Sequence, residues 1–455
     1  MKSIFAYPTL RVFAAISSCF LGREPVLADG CPAPSFSAAR TFGAGLVPVS
    51  VAVGDFNLDG DLDLATANSF GGAGNVSVLL GNGDGTFQIA VNYPAVVNPY
   101  SVGTGDLNGD GKPDLAVVSL YSTNVAVLLG NGDGTFQTAA SHGVEGKHSF
   151  VAFDDFNGDG KTDLVVANAN LNNVSVLVGQ GNGNFEAPVS YAVGASPWSV
   201  TGADLNADGK SDLIVANEGS GDVSVLLGNG DGTFKSAKNY GSGSSSRSVV
   251  VNDFNLDGIP DLAAANEGSP PNATDGSVSV LLGNGDGTFR SAVSFPAGSH
   301  SYSIATGEFN GDGKADLAVA NYGSTNVAVL LGNGDGTFQT AVDYSSLAGT
   351  WALTVGDFNG DGRPDLAVSN AESANVSVLL NTCISAGVQL GAVRTNSVVT
   401  IFWPFPSTGF VLESTTNLGS TNWQSAGETV LTNNNRLEVT VPFDQAQRYI
   451  RLRKT

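Results

Sequence analysis

The chain has 455 residues, 59 glycines and a formal net charge of −22, with 42% apolar and only 14% charged residues. This apolar content excludes a disordered chain, and the scarcity of charged residues beside so many glycines favours tight turns and short strands over amphipathic helices. The negative charge opposes binding to nucleic-acid phosphates and to anionic membrane surfaces. We therefore expect a soluble all-β protein that binds no nucleic acid.

The N-terminal residues 1–28 have the pattern of a secretory signal peptide. Lys2 and Arg11 precede an apolar run over residues 12–22, and Ala28 is a small residue before a cleavage point at Asp29. No later segment is long and apolar enough to span a bilayer, so we expect no membrane insertion. The pattern predicts a secreted protein, with association to a cell surface left open and a lipidated Cys31 as the weaker alternative.

A motif of the form D-x-N-x-D-G-x-x-D-L recurs with a period near 49 residues. Most copies are followed by a Gly-rich block, GNGDGTF, which is eroded in the third repeat and absent from the seventh. Each repeat contains four short apolar or alternating runs, one on each side of the Asp-rich loop and of the Gly-rich block. Four strands repeated seven times predict a seven-bladed β-propeller over residues 29–383.

The ends of the repeat region indicate how the ring closes. The seventh repeat lacks its fourth strand, and residues 36–42 align with residues 338–344 of the sixth repeat. We therefore predict that this N-terminal strand completes the last blade. The same register places Cys31 and Cys383 at neighbouring positions of the interrupted hairpin, which predicts a Cys31–Cys383 disulfide in an oxidising compartment; two free thiols are the alternative.

The Asp-rich loops have oxygen-bearing side chains at loop positions 1, 3, 5 and 9, Gly at position 6 and a backbone carbonyl available at position 7. This spacing of hard oxygen ligands is typical of Ca²⁺ sites, although no helices flank the loops and no EF-hand Glu follows at position 12. The seven loops hold 22 of the 42 acidic residues, which would repel one another without a cation. We predict about one Ca²⁺ per blade, weakest at Glu308, with metal-free Asx turns as the alternative.

The predicted metal ligands share these five loop positions in every repeat. They are Asp55, Asp106, Asp155, Asp204, Asp253, Glu308 and Asp357 at position 1; Asn57, Asn108, Asn157, Asn206, Asn255, Asn310 and Asn359 at position 3; Asp59, Asp110, Asp159, Asp208, Asp257, Asp312 and Asp361 at position 5; Asp61, Lys112, Lys161, Lys210, Ile259, Lys314 and Arg363 at position 7; and Asp63, Asp114, Asp163, Asp212, Asp261, Asp316 and Asp365 at position 9. The Gly-rich block is interpreted as a hairpin turn rather than as a second metal site.

Over residues 36–382 these two motifs resemble those of the FG-GAP/VCBS repeat family, whose best-known members are the integrin α-subunit propellers. The resemblance implies a calcium-stabilised propeller in a secreted or surface protein that usually binds rather than catalyses. Asn replaces the common Asp of the family at position 3. That change lowers the ligand charge and suggests a modest calcium affinity, on the order of 10⁻⁵ to 10⁻³ M as in extracellular modules.

One variable column of the repeat is the candidate ligand site. Six residues before the first acid of each motif, the innermost strand begins with Val49, Tyr100, Ser149, Trp198, Arg247, Tyr302 and Trp351. Tyr121 and Tyr322 follow the second strand of their repeats. We therefore predict a carbohydrate or protein ligand at Tyr100, Tyr121, Trp198, Arg247, Tyr302, Tyr322 and Trp351, on the face opposite the Asp-rich loops. Simple packing of the loops is the alternative, and an Asn column at the end of the second strand is interpreted as capping.

Catalysis has little support in the sequence. The three histidines, His142, His148 and His300, fall in different repeats or loops, and the chain has no Gly-x-Ser-x-Gly nucleophile motif. A lyase or hydrolase that acts on polysaccharides remains an alternative, with His148, His300 or Arg247 as its acid or base, and so does a scaffold without a ligand.

The C-terminal residues 384–455 lack the Asp-rich motif. Strand-like runs at 398–403, 410–414, 437–441 and 449–452 predict a small β-sandwich. The segment resembles C-terminal modules of bacterial secreted proteins. Its role and the oligomeric state of the chain are left open.

Overall fold

The computed structural model describes residues 31, 33–70, 74–269 and 274–383, together with the strands of the C-terminal segment. The chain divides into two units, Pro32–Cys383 and a second one formed by Met1–Cys31 with Ile384–Thr455. Every regular element in the described residues is a β-strand, and none of these residues belongs to a helix long and apolar enough to cross a membrane.

The unit 32–383 consists of seven antiparallel sheets of four strands each, which we number as blades 1 to 7. The first strand of the chain, β1 (Arg40–Gly43), belongs to blade 7. The remaining strands follow in chain order: blade 1, β2 (Pro48–Gly54), β3 (Asp63–Asn68), β4 (Asn75–Leu79), β5 (Val91–Pro94); blade 2, β6 (Ser101–Gly105), β7 (Asp114–Val118), β8 (Asn124–Leu128), β9 (Ala140–Gly143); blade 3, β10 (His148–Asp154), β11 (Asp163–Asn168), β12 (Asn173–Leu177), β13 (Val189–Ala192); blade 4, β14 (Pro197–Ala203), β15 (Asp212–Asn217), β16 (Asp222–Leu226), β17 (Lys238–Gly241); blade 5, β18 (Ser246–Asn252), β19 (Asp261–Asn266), β20 (Gly276–Leu281), β21 (Val293–Gly298); blade 6, β22 (Ser301–Gly307), β23 (Asp316–Asn321), β24 (Asn326–Leu330), β25 (Val342–Ser345); and blade 7, β26 (Thr350–Gly356), β27 (Asp365–Asn370), β28 (Asn375–Leu379).

The first strand of each blade contacts the first strands of both neighbouring blades, and β26 contacts β2, so the seven sheets form a closed ring. Serine side chains connect some of these inner strands. Ser50 Oγ accepts a hydrogen bond from Val102 N (3.3 Å), and Ser303 Oγ accepts one from Leu353 N (3.3 Å). The seven-bladed propeller predicted from the repeat is confirmed.

Blade 7 is completed by the N-terminal strand. β1 pairs antiparallel with β28, with Arg40 opposite Val378 and Gly43 opposite Asn375. A bridge between Phe36 and Asn381 repeats the Gly–Phe bridge that ends the Gly-rich block of the other blades. The predicted ring closure is therefore confirmed. Cys31 and Cys383 are both disulfide-bonded, which agrees with the predicted disulfide.

The hydrophobic core lies between neighbouring blades. The alternation of apolar side chains along the second and third strands places one set on each side of the sheet. One side is covered by the preceding blade and the other by the following blade. Phe56, at position 2 of the first Asp-rich loop, is 1% exposed and meets the ring of Phe136 from blade 2 edge-on at 5.4 Å. This contact recurs around the ring, for example between Phe156 and Phe234 at 5.5 Å. In the five loops that have Phe at position 2, this ring thus fixes the loop to the following blade, whereas Leu107 and Leu205 occupy the same position in blades 2 and 4.

The C-terminal segment forms two sheets. The first contains β29 (Gly391–Thr395), β30 (Val398–Pro404), β34 (Arg436–Pro442) and β33 (Leu431–Asn433), and the second contains β32 (Gln424–Ser425), β31 (Phe410–Thr415) and β35 (Tyr449–Lys454). The four strand-like runs of the sequence all lie in strands. The β-sandwich itself stays a prediction.

Candidate functional site

The Asp-rich loops fold around their own backbone amides, as the third loop illustrates. Asp155 accepts hydrogen bonds from Asp159 N (Oδ1, 3.1 Å) and from Gly160 N (Oδ2, 2.8 Å). Asn157 Oδ1 accepts a second bond from Asp159 N (2.9 Å), and Asp159 Oδ1 accepts one from Lys161 N (3.0 Å). The side-chain oxygens at positions 1, 3 and 5 therefore turn towards the inside of the loop, where a cation would need them.

The sixth loop differs because Glu308 has a longer side chain than Asp. Its Oε1 atom alone accepts bonds from Asn310 N (3.2 Å), Gly311 N (2.5 Å) and Asp312 N (3.0 Å). In the other six loops the position-1 carboxylate also receives the N–H of the position-6 glycine through its second oxygen. The loop that was predicted to be the weakest calcium site is thus the one whose hydrogen bonds differ from those of the other six.

The position-9 aspartates have a structural role that the motif did not predict. Asp163 is completely buried, and its Oδ2 accepts a hydrogen bond from Phe156 N (3.0 Å) while its Oδ1 accepts one from Gly179 N (2.7 Å). Every blade repeats this pair of bonds, at Asp63, Asp114, Asp163, Asp212, Asp261, Asp316 and Asp365. In blades 1 to 6 one carboxylate therefore joins the Asp-rich loop to the start of the Gly-rich block, and in blade 7, which lacks this block, the second donor is Asn381 N.

Burial dominates the ionisation of these aspartates. It raises the pKa of Asp63, Asp163 and Asp365 to about 6 and that of Asp316 to about 7. The two backbone N–H donors act in the opposite direction, and the neighbouring loop carboxylates add to the rise. The loops therefore concentrate negative charge next to a carboxylate that is already desolvated.

Basic side chains at position 7 contact the acid at position 5. The pairs are Lys112–Asp110 (3.5 Å), Lys161–Asp159 (3.0 Å), Lys210–Asp208 (3.9 Å), Lys314–Asp312 (3.4 Å) and Arg363–Asp361. The pairs are partly exposed to solvent, so each contributes little to stability. Among the described residues, no group of three or more His, Cys, Asp and Glu side chains is arranged to hold a metal ion. The predicted ligand set also contains an Asn amide and a backbone carbonyl, so the calcium sites stay a prediction.

The Gly-rich block forms a hairpin turn. In blade 1, Asn82 N donates to Thr86 O (3.0 Å) and Thr86 N to Asp84 Oδ1 (2.9 Å). In blade 2, Gly134 has a φ of 81°, and its N–H donates to Phe56 O of blade 1 (2.9 Å). A β-carbon on Gly134 would lie 2.7 Å from a methyl group of Leu80. Glycine is required there for the backbone conformation and for the close approach of the two blades.

At the other end of the strands, six of the seven predicted ligand residues form one aromatic cluster. It consists of Tyr100, Trp198, Arg247, Tyr302, Tyr322 and Trp351, from blades 2, 4, 5, 6 and 7. Tyr100 meets Trp198 at 5.6 Å and Trp351 at 6.2 Å between ring centroids. Tyr302 stacks on Tyr322 (5.2 Å, 4° between planes) and meets Trp351 edge-on at 4.9 Å. Since these contacts join non-adjacent blades, the rings extend across the opening of the ring of blades.

Arg247 is the cation of this cluster. Its guanidinium carbon lies 4.3 Å from the ring centroid of Trp198 and 4.4 Å from that of Tyr302, a distance typical of cation–π contacts. Its Nε donates to Glu267 Oε2 (2.7 Å), and its Nη2 lies 3.4 Å from Glu218 Oε1. The side chain is only 11% exposed. Arg247 is therefore fixed between two rings and two carboxylates.

Three acidic residues of the cluster were missed by the sequence reasoning. Glu372 Oε1 accepts a hydrogen bond from the Tyr322 hydroxyl (2.8 Å), and Glu267 Oε1 lies 3.4 Å from the Tyr302 hydroxyl. The third is Glu218. The repeat contained the signal, because the column of Tyr322 also holds Glu218 and Glu267, and the column of Tyr121 also holds Glu372.

The tyrosine hydroxyls of the cluster stay protonated near neutral pH. Burial raises the pKa of Tyr302 to about 12 and raises that of Tyr100 further. Of the histidines, His300 lies beside the cluster, with Nε2 at 4.0 Å from Glu267 Oε1. His148 is fully buried with Nδ1 bound to Asn168 Oδ1 (2.8 Å), and burial lowers its pKa. His148 is therefore removed from the set of possible acids or bases.

The other predicted residues of this face have different environments. Tyr121 is 69% exposed, whereas Val49 and Ser149 of the variable column are buried. Ser149 Oγ donates to Pro197 O of the next blade (2.8 Å). The Asn column is also buried, and Asn217, for example, donates to Asp222 Oδ1 and Ser224 Oγ, both at 2.8 Å. These buried asparagines therefore connect strands within a blade.

Comparisons with known proteins agree with this architecture. Three similar solved structures are BBS1N in complex with ARL6DN (TM-score 0.53, 14% identity, 76% of this chain and 97% of that one), a protein from Lactobacillus plantarum (0.52, 13%, 68% and 88%) and the periplasmic gluconolactonase PpgL of Pseudomonas aeruginosa (0.51, 19%, 66% and 86%). At these identities the likeness concerns the fold alone. Comparison with curated proteins finds no match.

The repeat itself is matched by a known family. The FG-GAP-like repeat matches residues 55–117, 106–154, 155–215, 204–264, 253–319 and 309–368, which together span most of the propeller. This chain belongs to the FG-GAP-like repeat family.

Proposed function

We propose that this chain is a secreted, calcium-binding propeller that recognises an extracellular carbohydrate or protein through its aromatic cluster. The observation that supports this proposal is the cluster itself. The residues of the cluster differ from blade to blade, although the rest of the repeat is nearly identical. Rings from non-adjacent blades nevertheless contact one another at one end of the channel. Packing within each blade does not require such residues, since other blades have Val49 or Ser149 at the same position.

The chemistry of the cluster suits both ligand classes. Aromatic faces stack on the apolar faces of sugars, and Trp, Tyr and Arg are the residues that contribute most to protein–protein binding. BBS1N, which has a similar fold, is in complex with a protein, ARL6DN. Glu218, Glu267 and Glu372 supply hydrogen-bond acceptors next to the rings.

A binding screen on glycan and protein arrays tests the proposal. We expect signals for the intact chain that disappear in Trp351→Ala and persist in Ile89→Ala, which changes a 93% exposed apolar residue far from the cluster. Equal binding by both variants would contradict a role for the cluster. Absence of any signal would favour a scaffold, and cleavage of a polysaccharide would favour an enzyme with His300 as its acid or base.

Calcium binding is the second part of the proposal. The residues present fit a hard cation, because the oxygens at positions 1, 3 and 5 face the inside of each loop and position 7 offers a carbonyl. Isothermal titration of the chelator-stripped chain should find about one Ca²⁺ per blade and a higher melting temperature on addition of Ca²⁺. Asp159→Ala should remove one site, whereas Glu186→Ala, an exposed acid of the same blade, should remove none. A melting temperature that does not respond to Ca²⁺ would overturn this assignment.

Secretion follows from the N-terminal pattern and agrees with the disulfide at Cys31 and Cys383. Expression of the full chain should yield a processed protein that begins at Asp29. An intracellular protein that retains Met1 would contradict secretion.

A further inference from the structure

Exposed apolar side chains are concentrated in the loops of blades 1 to 3, on the face that carries the aromatic cluster. Leu46, Phe70, Val97, Tyr121 and Leu171 are each between 42% and 69% exposed. We name these five residues the blade 1–3 surface. Large apolar side chains that are grouped in this way on a soluble protein usually mark an interaction site.

Hydrogen bonds connect the loops of the blade 1–3 surface in sequence. Ala95 N donates to Gly74 O (3.2 Å) and Val144 N donates to Thr123 O (2.9 Å), which joins the loops of successive blades. Ser69 N donates to Val47 O (2.9 Å), which joins the loops of Leu46 and Phe70. Ser119 Oγ donates to Val97 O (2.6 Å), two residues before Tyr121. Further along, Ala169 N donates to Lys147 O (2.9 Å), and the loop of Leu171 follows directly.

The charge of these loops is unusual for this chain. In residues 44–47, 69–74, 95–100, 119–123, 144–147 and 169–172 the charged residues are Glu145 and Lys147, which cancel. The chain as a whole carries a formal charge of −22, with three or four acids in each Asp-rich loop on the opposite face. The net charge stays negative even with one Ca²⁺ in each of the seven loops, so two copies of the chain repel each other through most of their surface but not through the blade 1–3 surface.

From this combination we infer that the blade 1–3 surface is the contact between two copies of this chain in a symmetric dimer. A two-fold interface places the same patch on both partners, so the patch must be complementary to itself. An uncharged apolar patch meets this requirement, whereas the acidic loops do not. The inference is independent of the ligand proposed above, because none of the six residues of the aromatic cluster belongs to the blade 1–3 surface, and Tyr121 lies outside that cluster.

Sedimentation velocity of the full chain between about 1 and 100 μM, in calcium-containing buffer at physiological salt, tests the inference. We expect a monomer–dimer equilibrium that is strengthened by higher salt, because salt screens the repulsion between the copies and leaves the apolar contact intact. Phe70→Ser and Leu46→Ser should each weaken the dimer by at least about tenfold, since each substitution occurs twice in a symmetric interface.

Ile89→Ser is the matched control, because Ile89 is a more exposed apolar residue of blade 1 outside the surface. It should leave the dimer unchanged. Circular dichroism and melting curves of each variant establish that the fold is retained; both target residues are exposed, so we expect no loss of stability. A monomer at every concentration would overturn the inference, as would a dimer that persists in the Phe70→Ser/Leu46→Ser double variant.

Discussion

Substitution of a position-9 aspartate tests whether the Asp-rich loop is held by its carboxylate in the absence of metal. In Asp163→Ala, Phe156 N and Gly179 N both lose their acceptor, and Asp163 is completely buried, so water does not replace it without rearrangement. A buried donor left without a partner costs about 1–3 kcal/mol, so the two donors together cost about 2–6 kcal/mol. This is a large part of the 5–15 kcal/mol that is typical of a folded domain.

Urea denaturation followed by tryptophan fluorescence measures this loss, and the experiment should be made in excess chelator. Under that condition a lost metal ligand makes no contribution, so the expected destabilisation reports the two hydrogen bonds alone. Asp163→Asn should be less harmful, because its amide oxygen still accepts one of the two bonds. Glu186→Ala, at an exposed acid of blade 3, is the control for loss of a negative charge. A free energy of unfolding within about 0.5 kcal/mol of the parent for Asp163→Ala would refute the reasoning.

Three other features lead to predictions about stability. Reduction of the disulfide at Cys31 and Cys383 should lower the free energy of unfolding by about 2–4 kcal/mol in urea titrations, and the Cys31→Ser/Cys383→Ser double variant should not respond to reductant. Arg247→Ala should lower the free energy of unfolding by about 1–3 kcal/mol, because Glu218 and Glu267 lose their partner. It should also shift the fluorescence emission of Trp198, which loses the guanidinium over its ring, and unchanged emission would contradict the stacked geometry. Gly134→Ala should cost at least about 1 kcal/mol in thermal denaturation, owing to its positive φ and the contact with Leu80, whereas a neutral effect would show that the turn adapts.

The blades and the closure of the ring could be predicted from sequence because the same pattern of four strands recurs in seven repeats. The alignment of residues 36–42 with residues 338–344 sufficed to assign β1 to blade 7, since an incomplete repeat leaves one strand without a neighbour. The position-9 aspartates show the limit of such reasoning. The spacing of the motif predicted Asp163 as a metal ligand at position 9, but spacing does not define the orientation of a side chain. In the structure both carboxylate oxygens accept hydrogen bonds from backbone amides.

The aromatic cluster was predictable in part. A variable column identified the residues from blades 2, 4, 5, 6 and 7 but not which of them touch, because contacts across the ring depend on three-dimensional distances. Arg247 was predicted as a ligand-binding residue, yet its partners Glu218 and Glu267 come from the column of Tyr322, in which only the tyrosine suggested a ligand site. The carboxylates of Glu218, Glu267 and Glu372 make this face acidic as well as aromatic.

The N-terminal closing strand also makes blade 7 the one sheet of the propeller whose strands come from both of its ends. Blades 1 to 6 each arise from one contiguous stretch of sequence, so their contacts form over short chain distances. Blade 7 requires segments from both ends of the propeller, as the bond from Leu380 N to Ser37 Oγ spans 343 residues. Pairing over such a separation is slow, and until it forms, the outer edge of β28 has free N–H and C=O groups that attract other strands. The interval before closure is therefore the stage at which newly made chains are most prone to associate wrongly.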